Sequence, residues 1–418
     1  MRNVYGLRLL AEPRVQRLAL GFLVVVILAW RAIQFIGWTS APQWGYDFAF
    51  YWTAASQLLH GQPIYSAVQL AGPYVPQAQP GFLYPPPMAA LVTPLAALFP
   101  TDYRAANWVW AAIGAAILIA SVLALVNALR LGERYPLLAG RGRWWAVAAA
   151  FAFPPVIDEL VVGNVHLLLL GLLTLAYVAI GITSTPQHST VGAIARDGRS
   201  VPGLAVGAAA LVKVFPGFLV AWFLVTRRFG AIAWTLVGVA ILTLVALPLT
   251  GLETWREYPT VLANLSATPQ AVDALAPTMW LVPAIGFTLA RAIVTVIGLA
   301  VVLVVRRADV RLGFAVAVVA SVLITPAMYT SYLTIFVLPL LLGLAAGVRL
   351  RWLGLAYLLM WGGQQPALGD LAWVVNRGFP TLGALLLLAA LVAAAVGAGW
   401  ALRDRPHGTT SRWTTSAA

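Results

Sequence analysis

Seven stretches of this sequence are apolar over 17 residues or more: 18 to 38, 104 to 129, 164 to 183, 229 to 250, 279 to 305, 332 to 348 and 379 to 402. A helix needs about 20 such residues, or about 17 at the short end, to cross the hydrocarbon core of a bilayer. Shorter apolar runs lie between them at 144 to 157, 201 to 212, 215 to 226, 312 to 324 and 352 to 362, and several are bounded by Pro or Gly, so they read as short, tilted or broken helices. Together they give about twelve spans, or about ten if 201 to 226 is one re-entrant pair. Only 9% of the residues are charged, and the mean hydropathy is +0.87. A soluble domain carries roughly 25% charge, so lipid must solvate most of this surface. The expectation is an all-α, polytopic transmembrane protein, with residues 1–418 forming a single integral-membrane unit.

The charges give the topology. The formal net charge is +13, a balance that raises nucleic acid or an anionic surface as partner until the arginines are placed. Short cytoplasmic loops collect Lys and Arg, which puts both termini, Arg130 to Arg143, Arg196 to Arg199, Arg227 and Arg228, Arg306 to Arg311, and Arg349 with Arg351 inside. Twenty basic residues then face five acids on the inner side, and three (Arg104, Arg256, Arg377) face eight on the outer. The charge reports orientation, and no nucleic-acid partner is expected. Arg2, Arg8, Arg14 and Arg17 precede the run 18 to 38, which continues without a small-residue cleavage pattern and reads as an uncleaved first span. The segment 39–103 becomes an outer loop with amphipathic or re-entrant helices at Phe48 to Leu59 and 86 to 99, the polar stretch Ser184 to Ser200 a flexible inner loop, and 403–418 a cytoplasmic tail.

Between Arg31 and Asp102 the chain has one ionised side chain, Asp47, in Trp44-Gly45-Tyr46-Asp47-Phe48. An acid flanked by aromatics at the membrane boundary is placed to meet the polar end of a lipid substrate; it is equally a good N-cap for the helix that follows. Lys213 is the sole lysine, set in the apolar stretch Leu211-Val212-Lys213-Val214-Phe215-Pro216. Intramembrane cations are functional by default because they cost about 2.5 to 3.5 kcal/mol to insert, although Lys213 is also free to snorkel and Arg31 and Arg291 fall inside spans as well. A third cluster, Asp158-Glu159 to Asn164-Val165-His166, offers polar groups that bind a sugar or help an acid-base step, with His166 able to titrate near neutral pH, or that cap helix ends. Tyr84-Pro85-Pro86-Pro87 is a stiff turn that shapes a pocket or ends an element. Arg256 either meets a phosphate or pairs with Glu253 and Glu257, and Asn264-Leu265-Ser266 matches the glycosylation pattern. There is no cysteine, no Walker loop and no paired His or Cys set, so no cofactor and no metal site is expected.

In this order the segments resemble the polytopic GT-C glycosyltransferases, specifically glycosyltransferase family 87. The pieces are Tyr46-Asp47-Phe48 with Tyr51 and Leu58 to Tyr65, then Tyr84-Pro85-Pro86-Pro87, Gly163-Asn164-Val165-His166, and Lys213-Val214-Phe215-Pro216. The resemblance implies a bacterial cell-membrane enzyme that transfers a hexose, typically mannose, from a polyprenyl-phosphate-linked sugar donor to a lipid or glycan acceptor on the outer face. It implies Asp47 as general base; Lys213 and Arg256 are the candidates to steady the leaving phosphate, and Tyr46, Tyr84, Asn164 and His166 the candidates for further substrate contacts among the membrane lipids. Toward the C-terminus Thr325-Pro326 to Tyr332 lacks the histidine common in the family. The competing reading is a transporter or flippase, prompted by the broken helices and Lys213.

Overall fold

The structure, a computed structural model, describes residues 13–73, 81–182, 200–267, 274–362 and 371–403. Asp273, Asp370, Arg196, Arg199, the loop to residue 199 and the tail beyond 403 lie outside the described residues. The fold is all-helical, with no strand among the described residues.

Among the described residues, five helices are long and apolar enough to cross a membrane: Gly21–Thr39, Tyr103–Ala128, Phe229–Ala267, Phe287–Arg307 and Val374–Gly397. The pair Gly140–Ala152 and Pro154–Val162, bent by 65°, is apolar enough to make a sixth if the two are one broken span and not a re-entrant loop. The bend falls where Pro154 and Pro155 supply no backbone N–H, so the expected run 144 to 157 breaks and its second half extends to Val162. Shorter apolar helices fill the remainder, among them Pro86–Leu98, His166–Ile180, Ser200–Val212 and Phe215–Val225. Two expected single runs are also broken. The run 279 to 305 divides at Gly286 into Pro277–Ile285 and Phe287–Val304. The run 332 to 348 starts as a 3-10 helix, Thr330–Phe336, before Val337–Ala346.

Burial sorts these helices. Val310–Leu323 is buried at every position from Leu312 to Leu323, so it forms the centre of the bundle. Phe229–Ala267 instead exposes Leu236, Leu244 and Val245, as a lipid-facing helix does. It meets Ser200–Val212 through small residues. A Cβ at Gly203 would lie 2.3 Å from the Ala231 carbonyl oxygen, and one at Gly207 would lie 2.6 Å from that of Thr235. This Gly-x-x-x-Gly face lets the two backbones touch, a contact that dispersion favours where lipid supplies no hydrophobic drive. The close packing fixes the end of Ser200–Val212, and Lys213 is the next residue.

The two intramembrane arginines are satisfied locally. Arg31 donates to the Ala152 carbonyl (3.3 Å) and to Gln34 (2.6 Å) and lies over the Trp361 ring. Arg291 donates to the Ser266 carbonyl at 3.0 Å. Both answer the cost of a cation in lipid with protein acceptors.

Candidate functional site

Two left-handed glycines assemble the site. Gly45 (φ 69°) starts the helix Tyr46–Leu59, and Gly163 (φ 69°) ends the helix Pro154–Val162. The two turns are tied by the Gly45 N–H donating to the Val161 carbonyl at 2.8 Å. The buried Asn107 side chain packs against both: a Cβ at Gly45 would lie 3.3 Å from it, and a Cβ at Gly163 would lie 2.2 Å from its Oδ1. The junction places Asp47, two residues past one glycine, against Asn164, one residue past the other.

The junction is tight enough to predict. Gly163→Ala adds left-handed strain to a clash with Asn107 and with Phe48, whose Cβ would lie 2.7 Å away, so it is expected to cost about 2 to 5 kcal/mol. Gly61, also at positive φ (66°) but with nothing within 4 Å, is the control. Its alanine variant loses only the backbone strain of about 1 to 2 kcal/mol. Thermal unfolding in nanodiscs should separate the two, and equal losses would refute the packing argument.

From this junction a hydrogen-bonded chain runs through the site. Asn164 Nδ2 donates to Asp47 Oδ2 at 2.6 Å, and Asn164 Oδ1 accepts from Tyr51 (3.1 Å), Tyr84 (3.3 Å) and the Val165 N–H (2.7 Å). Lys213 Nζ donates to the Tyr84 hydroxyl at 3.2 Å and lies 3.0 Å from His166 Nε2. His166 Nδ1 lies 2.7 Å from Glu159. The Tyr332 ring closes over Lys213, with Nζ 3.9 Å from its centroid, and lies 4.1 Å from the His166 ring. Asp158 accepts a hydrogen bond from the Ser331 backbone and lies within electrostatic reach of Asp47.

Burial divides these groups into two rows. Asp47, Tyr84, Asp158 and Lys213 are half-buried, while Tyr51, Glu159, Asn164 and His166 are buried behind them. Burial pushes the Asp47 carboxyl above the usual range, and Lys213 and the Asn164 hydrogen bond pull partly against it. The carboxylate is thus a stronger base than an exposed aspartate.

The capping alternative for Asp47 fails: Gly45 is the N-cap and receives no side-chain cap, while Asp47 sits within the first turn. Tyr46, 52% exposed, packs on Phe50 and stands outside the chain of contacts. Arg256 pairs with Glu253 at 3.2 Å, both side chains well exposed, and is not brought to the cluster. Asn264 donates to the carbonyls of Gln69 (2.8 Å) and Leu70 (3.1 Å), so the glycosylation-like pattern serves to fasten the loop 66–72. Sequence reasoning held Glu159 within the Asp158 to His166 cluster without giving it a role of its own, missed Tyr332 as a member of the site, and gave Tyr51 no role in it. Tyr332 ends the stretch Thr325 to Tyr332, which the sequence analysis had singled out.

Residues 82–326, well over half the chain, match the family model of Glycosyltransferase family 87. The matched segment holds Tyr84, Glu159, Asn164, His166 and Lys213, and Asp47 joins them through Asn164. No curated protein and no solved structure matches the chain. The chain belongs to glycosyltransferase family 87, and it is a membrane glycosyltransferase.

Proposed function

We propose that this enzyme transfers a hexose, mannose in the first instance, from a polyprenyl-phosphate donor to a lipid or glycan acceptor on the outer face of the membrane, with Asp47 as general base. The observation that carries the reading is the pairing of a half-buried carboxylate with a half-buried ammonium through Asn164 and Tyr84. Asp47 takes the acceptor's hydroxyl proton as that oxygen bonds to the anomeric carbon. The bond from that carbon to the phosphate oxygen breaks, and the electron pair leaves with the polyprenyl phosphate. Lys213 stabilises the charge gathering on the phosphate. A cavity of about 600 Å³ with an apolar wall that includes Phe35, Trp108, Phe151, Ile157 and Leu160 borders the helix bearing Asp158 and Glu159, and a prenyl chain suits it. Its charged lining residue is Arg31.

Purified protein in lipid nanodiscs, given polyprenyl-phosphate-[14C]mannose and extracted envelope lipids, should form a labelled product. Exchange of the donor across proteoliposomes with no covalent product would sink the transferase reading and favour transport.

The raised basicity of Asp47 fixes a pH signature. A base must be unprotonated to act, so activity is lost as pH falls through the folded pKa of Asp47, which lies above the ordinary aspartate value of about 3.9 because of burial. The Asn164 hydrogen bond holds that value down, so Asn164→Ala should move the acid limb of kcat/KM to higher pH. An acid limb that stays in place would argue that Asp47 is not the titrating group.

A further inference from the structure

Glu159 and His166 are 1% and 0% exposed. Their arrangement is directional. Glu159 Oε1 accepts from the backbone N–H of His166 and of Leu167, while Oε2 faces His166 Nδ1 at 2.7 Å. An ionised Glu159 only accepts, so beside a neutral imidazole Nδ1 carries the proton and Nε2 presents its lone pair. That lone pair faces Lys213 Nζ at 3.0 Å. The Tyr332 ring at 3.9 Å and the Tyr84 ring at 5.1 Å both attract a charge on Nζ. An ammonium has three N–H donors. Nε2 takes one, the Tyr84 oxygen takes a second, and the third remains for an anion in the half-buried space around Lys213.

We propose that Glu159 and His166 are positioning residues for Lys213: the carboxylate locks the Nδ1–H tautomer of His166, and the Nε2 lone pair then holds the Lys213 ammonium where it binds the donor phosphate. The inference rests on the reading of Lys213 as the phosphate contact. It has a sharp consequence, because the slot of Glu159 tells an acceptor from a donor. In Glu159→Gln the amide oxygen still receives the two backbone N–H groups, but the amide nitrogen faces Nδ1 and donates to it. His166 must then carry its proton on Nε2, pointing at the Lys213 donors.

Three variants test this in full-length protein in nanodiscs, with geranylgeranyl phosphate as the binding probe and 15N-histidine NMR as the tautomer readout. The His166 signal is assigned by its loss in His166→Gln. Wild type should bind the probe and show the Nδ1–H form. Glu159→Gln should show the Nε2–H form and bind the probe about 10- to 100-fold more weakly, as expected when a charge-assisted hydrogen bond is lost. His166→Leu should weaken binding similarly, while His166→Gln, whose amide oxygen still accepts from Lys213, should stay within about 3-fold of wild type. Melting curves identify any variant that fails to fold, and the remaining variants then decide. An unchanged tautomer in Glu159→Gln, near-normal binding by Glu159→Gln, equal losses in the two His166 variants, or no binding of the probe by wild type would each overturn the proposal. Wild type that binds the probe but transfers no sugar would instead sink the transferase reading, with the tautomer and binding results still deciding this one.

Discussion

Asp47→Asn is expected to lower turnover by about 10²- to 10⁴-fold, the range that a positioned general base supplies, with donor binding left within about 2-fold. The substitution is nearly isosteric. The oxygen of the substituted amide can still accept from Asn164 Nδ2, the bond that Asp47 Oδ2 accepts at 2.6 Å, so the chain through Tyr84 to Lys213 keeps its partners. What is lost is basicity. Single-turnover transfer at saturating donor, beside a binding measurement with polyprenyl phosphate, separates chemistry from affinity. A folded Asp47→Asn protein that transfers at the wild-type rate would remove Asp47 from the mechanism. Asp47→Glu should recover only part of the rate, because one methylene moves the carboxylate relative to an acceptor that the rest of the site holds fixed.

Much of this site is legible in the order of the sequence, and what escapes does so for a physical reason. Asp47 and Lys213 stand out because charge is scarce: an ionised residue in an apolar chain must find a partner or a function. Sequence alone does not show which. Arg31 and Arg291 have the same sequence signature as Lys213, yet they find backbone carbonyls at Ala152 and Ser266, while Lys213 finds a histidine and two tyrosines. Those partners are far apart in sequence, and only the packing of helices joins them. In sequence His166 reads equally as a sugar contact, an acid-base group or a helix cap at an outer turn. Gly163 instead turns the chain so that His166 faces inward onto Glu159, seven residues earlier. The helix ends at Gly45 and Gly163 are visible as glycines, but their meeting over Asn107 is not, since a close approach of two turns leaves no periodic pattern. The breaks before Pro154 and at Gly286 divide runs that hydropathy joins or cuts short.

Lys213→Met should cost about 10²- to 10³-fold in kcat/KM for the donor, on the scale of removing one preorganised donor to a developing anion, with the KM for the acceptor nearly unchanged. The methionine keeps the length and apolar stem but removes the N–H donors to His166, Tyr84 and the phosphate. The variant has a second effect of fixed sign. Lys213 draws the pKa of Asp47 down against the pull of burial. Without it the carboxyl protonates at higher pH, and the acid limb of the profile moves up. A loss of donor binding with no shift in that limb would separate the phosphate role of Lys213 from its charge on Asp47, and a shift with unchanged donor kinetics would refute the phosphate role. Lys213→Arg is not expected to restore activity. The ammonium occupies a slot set by Nε2 at 3.0 Å and a hydroxyl at 3.2 Å, and a planar guanidinium is larger and presents its donors in a fixed fork. Activity in the arginine variant close to wild type would mean that any cation near Asp47 suffices, and that the geometry built by Tyr84, His166 and Tyr332 is not what the reaction requires.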